Sequence, residues 1–230
     1  MKRKTLMALF CVFILIYTHG QKISNIDFDF INTKIKDSTS TFFYPLLINR
    51  FVKADTTLTE KEYELIYYGN TYSEKYKPYS TSEAEKKFFE LYRQEKYKEA
   101  IPFGKEVLKE NLINLKISFR MLVCFNVLGD KITAKHYANR YFPLLNCIYN
   151  SGDGKSIQTA FVVLKVDDEY EILDDLGLSS KGQALVGDTD VLTIDKKNQK
   201  VKKGEKKISS LYFNVTKPLD YLQQEFRKNK

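Results

Sequence analysis

The pattern of apolar and polar positions divides the chain into a long helical part and a shorter part that contains strands. Between residues 82 and 148, apolar side chains recur every three or four positions, as they do in amphipathic helices. The predicted helices span 82–94, 97–110, 115–128 and 131–145. Gly129 and Asp130 separate the last two, and their order is typical of a tight turn followed by a helix N-cap.

The four helices form two similar units. A shift of 34 residues aligns Ala100 with Ala134, and this is the period of tetratricopeptide helix hairpins. The usual Trp of that repeat is replaced by Ala84 and Ser118, and two units are fewer than a self-supporting array needs. Residues 82–148 therefore resemble a divergent tetratricopeptide-like pair that is attached to other structure and acts as a scaffold.

Shorter helices are predicted before this pair. Apolar spacing indicates helices around 28–35 and 42–51. A third helix begins after Thr59, with Glu62 placed to complete a capping box, and Gly69 is expected to end it as a C′ residue.

The pattern changes after residue 150. Strands are predicted over 159–166, 190–194 and 208–215, with helices over 170–178 and from Pro218 to Phe226. We therefore expect an α+β protein with an N-terminal helical layer, two tetratricopeptide-like hairpins, and a small C-terminal β-sheet with flanking helices. The predicted regions are a helical region over 21–150 and a small α+β region over 151–230.

The first twenty residues have the layout of a secretory signal peptide. Lys2, Arg3 and Lys4 precede an apolar run over 6–17, and Gly20 is the expected last residue removed. The apolar run is too short to span a membrane, so we expect no transmembrane segment after cleavage. These features predict a secreted or periplasmic protein. The three basic residues account for three units of the formal net charge of +8.

Few side chains are suited to catalysis. After cleavage, His136 is the one remaining histidine, and Cys124 and Cys147 are the remaining cysteines, which we expect to be packing thiols. The run Gly154-Lys155-Ser156 lacks the earlier glycine of a phosphate-binding loop. We therefore predict no catalytic residue, no metal site and no cofactor.

Tyrosines are concentrated at the end of the third predicted helix and in the loop after it, and they provide the candidate binding residues: Tyr67, Tyr68, Tyr72, Tyr76 and Tyr79. Tyrosine is well suited to binding surfaces because it combines an apolar ring with a hydroxyl at low entropic cost. The alternative is that these rings pack onto the helical layer and cover its open end.

Two charged segments offer other functions. Carboxylates within 153–175, such as Asp153, Asp167 and Asp168, could serve a cell-envelope hydrolase. For the acidic cluster over 167–175, a solvated charged turn is the simpler interpretation. The lysine loop over 196–207 could dock on an anionic membrane or act as a solubilising loop. It carries no interleaved aromatics, so nucleic-acid binding is not expected.

Four short segments stand out in the sequence: Leu65–Gly69, Tyr76–Tyr79, Ser151–Gly154 and Leu211–Val215. Together they resemble a family of secreted bacterial proteins, domain of unknown function 4919. The resemblance implies no activity, ligand or catalytic residue. The repeat pair, the tyrosines and the scarcity of catalytic side chains instead predict a non-enzymatic module that binds an unknown protein or peptide of the cell envelope. A hydrolase is the alternative, and membrane docking is a weaker one.

Overall fold

The computed structural model describes residues 26–197, 199 and 206–228. It confirms an α+β protein in which a helical layer precedes a small mixed sheet. The helices are α1 (Phe28–Lys36), α2 (Tyr44–Val52), α3 (Glu60–Gly69), α4 (Glu83–Arg93), α5 (Tyr97–Glu110), α6 (Leu115–Val127), α7 (Lys131–Ser151), α8 (Val166–Asp175) and α9 (Thr216–Lys228). The strands are β1 (Phe161–Val162), β2 (Ser180–Val186), β3 (Thr189–Ile194) and β4 (Ser210–Asn214).

Helix α3 begins with the predicted capping box. The Thr59 hydroxyl accepts from the Glu62 backbone N–H, and the Glu62 carboxylate accepts from the Thr59 N–H. The prediction that Gly69 ends the helix as a C′ residue is wrong, because Gly69 has helical φ −63°. Its role is steric: a Cβ there would lie 3.1 Å from the Tyr44 ring.

Helices α4 to α7 pack in sequence as two hairpins, close to the predicted bounds. Gly129 turns the chain at φ +83°, and Asp130 then caps α7 by accepting from the Thr133 N–H at 2.9 Å. Helix α7 continues to Ser151, beyond its predicted end at Leu145, with Pro143 inside it. The relation of these hairpins to tetratricopeptide repeats stays a prediction.

The sheet has the order β1-β4-β3-β2. Strand β1 is parallel to β4, and the other neighbours are antiparallel. The prediction missed β2, an edge strand whose residues are almost all exposed. It also made β1 too long, since only Phe161 and Val162 pair as a strand.

Two clusters of buried side chains hold the molecule together. One extends from α1 through α3 and α7 to the sheet, so it joins the predicted regions 21–150 and 151–230. The other lies inside the hairpins of α4 to α7. Cys124 and Cys147 are buried free thiols. Within the described ranges, no helix is both long and apolar enough to span a bilayer.

Candidate functional site

The segment between α3 and α4, residues 70–82, is here named the tyrosine loop. Short-range backbone hydrogen bonds fold it, from Ser73 N–H to the Asn70 carbonyl and from Tyr76 N–H to the Ser73 carbonyl. Such turns give the loop a defined shape. The tyrosine loop begins directly after α3, which is part of the buried cluster that joins the helices to the sheet. The loop therefore starts where the helical layer meets the C-terminal part.

Tyr67 and Tyr68 belong to the core and do not form a surface. Both have no exposed area. The Tyr67 hydroxyl donates to Asp168 Oδ2 at 2.7 Å, and the Tyr68 hydroxyl lies 3.1 Å from the Val162 carbonyl oxygen. Because each hydroxyl finds a buried acceptor, each ring can enter the core. Their assignment as binding residues is therefore corrected: a partner cannot reach them in this conformation.

Tyr76 connects the tyrosine loop to the C-terminal part through a hydrogen bond and a ring contact. It is 8% exposed, its hydroxyl donates to the Leu164 carbonyl at 3.0 Å, and its ring meets that of Tyr221 edge to face. Tyr72 and Tyr79 are more accessible, at 36% and 46%. Tyr72 is held in place because its hydroxyl donates to the Phe28 carbonyl at 2.8 Å.

A cleft of about 330 Å³ separates the tyrosine loop from α9, and we name it the tyrosine cleft. Its lining comprises Thr71, Tyr72, Ser73, Glu74, Tyr76, Lys217, Asp220, Tyr221, Gln224 and Lys228. Two of the five candidate tyrosines, Tyr72 and Tyr76, therefore line one cavity. The rim carries charges of both signs.

The sequence prediction missed the contribution of α9. Lys217, Asp220, Tyr221 and Gln224 recur at helical spacing and so face the same side of the helix. This spacing predicts that α9 has a polar face that carries one aromatic side chain. The chain pattern gave no indication that this face lies against the tyrosine loop.

A second cleft of about 250 Å³ lies on the other side of the tyrosine loop, and we name it the hairpin cleft. Its lining comprises Glu74, Lys75, Lys77, Ser80, Ser82, Glu85, Val107, Glu110, Asn111, Asn114 and Lys165. Glu74 lines both clefts. The lining is polar except for Val107.

The interpretation of the acidic cluster as a solvated turn is wrong for part of α8. Asp168, Glu169 and Glu171 are buried. Burial raises the pKa of Asp168 to about 7, although the hydrogen bond from Tyr67 acts to lower it. Burial also raises the pKa of Glu169, to about 9. Glu169 has no hydrogen-bond partner for either oxygen among the described residues. Glu171 forms an ion pair with Arg120 of α6.

The three carboxylates considered for hydrolysis have separate partners. Asp153 pairs with Lys155 at 3.3 Å, and Asp167 pairs with Lys116 at 3.0 Å. Asp168 accepts from Tyr67. Within the described residues, no hydrogen bond joins two of these three carboxyl groups. In the same part of the chain, no group of three or more His, Cys, Asp or Glu residues is arranged to hold a metal ion.

Two predicted features fall partly or wholly outside the described residues. The signal peptide over 1–20, with cleavage after Gly20, lies wholly outside them. In the lysine loop over 196–207, Lys196, Lys197, Lys206 and Lys207 are described, and Lys207 Nζ donates to the Lys196 carbonyl at 2.6 Å. Lys200, Lys202 and Lys203 lie outside the described part of the chain.

Comparison with known proteins bears on the family. No curated protein and no solved structure matches the chain. A family model described as a domain of unknown function (DUF4919) matches residues 29–224. This range includes the four segments on which the resemblance was based, and it covers most of the sequence. The chain therefore belongs to the DUF4919 family, as its sequence predicted.

Proposed function

We propose that this protein is a secreted or periplasmic module that binds another protein or a peptide of the cell envelope, and that the tyrosine cleft is its binding surface. The observation that carries the proposal is the position of Tyr72 and Tyr221 on opposite sides of one cleft. Tyr72 is anchored through its hydroxyl and Tyr221 through its edge contact with Tyr76.

Anchored aromatic rings favour association because little side-chain freedom is lost when a partner binds. An inserted apolar or aromatic side chain would contact ring surface on both sides of the cleft. Tyrosine is among the residues that most often dominate binding energy at interfaces. A preformed tyrosine cleft is therefore suited to accept one anchoring side chain of a partner.

The charges at the rim indicate what kind of partner fits. The lining includes the basic residues Lys217 and Lys228 and the acidic residues Glu74 and Asp220, so both signs of charge are present around the opening. A polypeptide with mixed charges complements such a rim better than a uniformly anionic polymer does. This supports a protein or peptide as the partner.

The proposed location outside the cytoplasm rests on the predicted signal peptide over residues 1–20. The basic start at Lys2 to Lys4, the apolar run and Gly20 support export to the periplasm or the medium. The test is N-terminal sequencing of the protein recovered from the periplasmic and extracellular fractions. Export predicts a chain that begins at Gln21, whereas a full-length chain confined to the cytoplasm would contradict it.

Crosslinking followed by affinity purification tests binding. The tagged wild-type protein is compared with Tyr221→Ala, and with Tyr170→Ala as the control because Tyr170 is an exposed tyrosine on α8. We expect a partner to be retained by the wild type and the control and lost by Tyr221→Ala. Equal retention by all three proteins would contradict the tyrosine cleft as the binding surface.

The hydrolase alternative has one observation in its favour. Asp168 is a buried acid with a pKa raised to about 7, and together with Lys165 it lines a small void beneath Pro78. Raised carboxylate pKa values of this kind occur at catalytic sites. Release of soluble fragments from purified peptidoglycan by the wild type, and not by Asp168→Asn, would support the alternative. If the wild type releases no soluble fragments, the hydrolase alternative is excluded for peptidoglycan.

A further inference from the structure

The hairpin cleft has features that the tyrosine cleft lacks. It lies between the tyrosine loop, the start of α4 and the end of α5, and Lys165 contributes from the chain just before α8. Ten of its eleven lining residues are polar or charged, so it offers charged and hydrogen-bonding groups to a ligand. Its volume of about 250 Å³ is slightly below the range for drug-sized ligands, which indicates a small ligand.

Two acceptors in this cleft lack full partners. Glu85 is 4% exposed, and the Nζ atom of Lys116 lies 3.9 Å from its Oε1, which is beyond hydrogen-bond distance. Burial raises the pKa of Glu85, and the nearby charges of Lys165 and Lys116 oppose that shift. The Oδ1 atom of Asn111 is buried and accepts no hydrogen bond from any described residue. Buried acceptors without donors are costly, and they point to a ligand or water that supplies the donors. An ammonium group provides up to three hydrogen-bond donors.

Positive charge lies in the same cleft. The Lys165 side chain is largely buried, and its Nζ is 3.5 Å from Asp167 Oδ2, a contact too long for a strong hydrogen bond. Lys77, on the tyrosine loop, also lines this cleft, and among the described residues it forms no ion pair. These two ammonium groups can receive a carboxylate.

We infer that the hairpin cleft binds a zwitterionic ligand, a free amino acid or a short peptide. Glu85 receives its ammonium group, and Lys165 and Lys77 receive its carboxylate. The opposite charges of the ligand then match opposite charges of the cleft, which gives both affinity and orientation. This inference does not depend on the tyrosine cleft.

Calorimetric titration with L-alanyl-L-alanine and with L-alanine tests the inference and separates its two ligand sources. We expect saturable binding of at least one of them, with a Kd at or below about 1 mM. N-acetyl-L-alanyl-L-alanine and L-alanyl-L-alanine amide each lack one charge. Each blocked dipeptide should bind at least about tenfold more weakly than its parent, a loss of about 1.4 kcal/mol.

Variants assign the two ends of the ligand. Glu85→Gln should remove the preference for a free ammonium group, and Lys165→Gln should remove the preference for a free carboxylate. Glu83→Gln and Lys87→Gln are the matched controls, because both residues lie on α4 and neither lines the cleft. Gln223→Ala, at an exposed residue of α9 that lines neither cleft, should leave the dipeptide affinity unchanged. If the folded wild type binds neither probe, or binds the blocked dipeptides equally well, the inference is overturned.

Discussion

The Tyr67 hydroxyl donates a hydrogen bond to Asp168 Oδ2 at 2.7 Å, across 101 residues of sequence. The same hydroxyl oxygen accepts from the Leu164 N–H at 3.3 Å. One buried side chain of α3 thus connects the helical layer both to α8 and to the segment before it. The tyrosine loop begins three residues after Tyr67, so this connection sets the starting position of the loop.

Replacing Tyr67 with Phe tests the connection. The ring stays, but Asp168 loses a donor and the Leu164 N–H loses an acceptor in a buried place. We expect the free energy of unfolding to fall by about 1–3 kcal/mol, measured by urea denaturation. Tyr170→Phe is the control, because Tyr170 is exposed, and it should be near neutral. An equally small effect of both substitutions would show that the buried bond contributes little.

The buried acids of α8 predict a dependence of stability on pH. Burial raises the pKa of Asp168 to about 7 and that of Glu169 to about 9. The folded protein therefore keeps protons that the unfolded chain has already released, so the free energy of unfolding falls as the pH rises from about 5 to about 9. Each retained proton contributes at most about 1.4 kcal/mol per pH unit.

Glu169→Gln isolates one part of this slope. The neutral amide cannot ionise, so this variant should gain stability relative to the wild type as the pH is raised from 5 to 9, measured by urea denaturation at each pH. Glu106→Gln, a change at an exposed acid on α5, should leave the slope unaltered. Parallel profiles for wild type and Glu169→Gln would mean that Glu169 does not hold its proton in the folded state.

Gly104 tests the packing inside the hairpins. It lies in α5, and an added Cβ would be 2.4 Å from the Met121 sulfur and 2.8 Å from the Phe88 ring. Glycine to alanine normally stabilises a helix by about 1 kcal/mol. Here we expect Gly104→Ala to destabilise the protein by about 1–3 kcal/mol in thermal or urea unfolding, because the core is overpacked.

Lys105→Ala is the matched control for Gly104→Ala, since it changes the next residue of the same helix on its exposed side. We expect a change within about 0.5 kcal/mol. A stabilised Gly104→Ala variant would show that Phe88 and Met121 move aside at little cost.

Local patterns predicted most of the helices for identifiable reasons. Thr59 and Glu62 form a capping box that is visible in sequence, and Gly129 with Asp130 forms a turn and a cap. Strand β2 was missed because it is an exposed edge strand, so no core selects alternating apolar residues along it. Gly69 was misassigned because its contact with Tyr44 is tertiary, and a local pattern cannot distinguish it from a helix terminator.

The candidate site was less accessible to sequence reasoning. The concentration of tyrosines pointed to the tyrosine loop, and Tyr72 and Tyr76 of that loop line the tyrosine cleft. Burial of Tyr67 and Tyr68 depends on acceptors about a hundred residues later, Asp168 and Val162. The opposing wall on α9 likewise results from long-range packing. Local patterns therefore located the loop but not the cavity.

The most direct test of the proposed function is photocrosslinking from the cleft itself. A photoreactive amino acid is placed in living cells at Gln224, which lines the tyrosine cleft, or at Gln223, its exposed neighbour on α9 that does not. We predict a discrete adduct with an envelope protein or peptide from position 224, little or none from 223, and loss of the adduct when Tyr221→Ala is added. No adduct from 224, or equal adducts from both positions, would contradict binding in the tyrosine cleft.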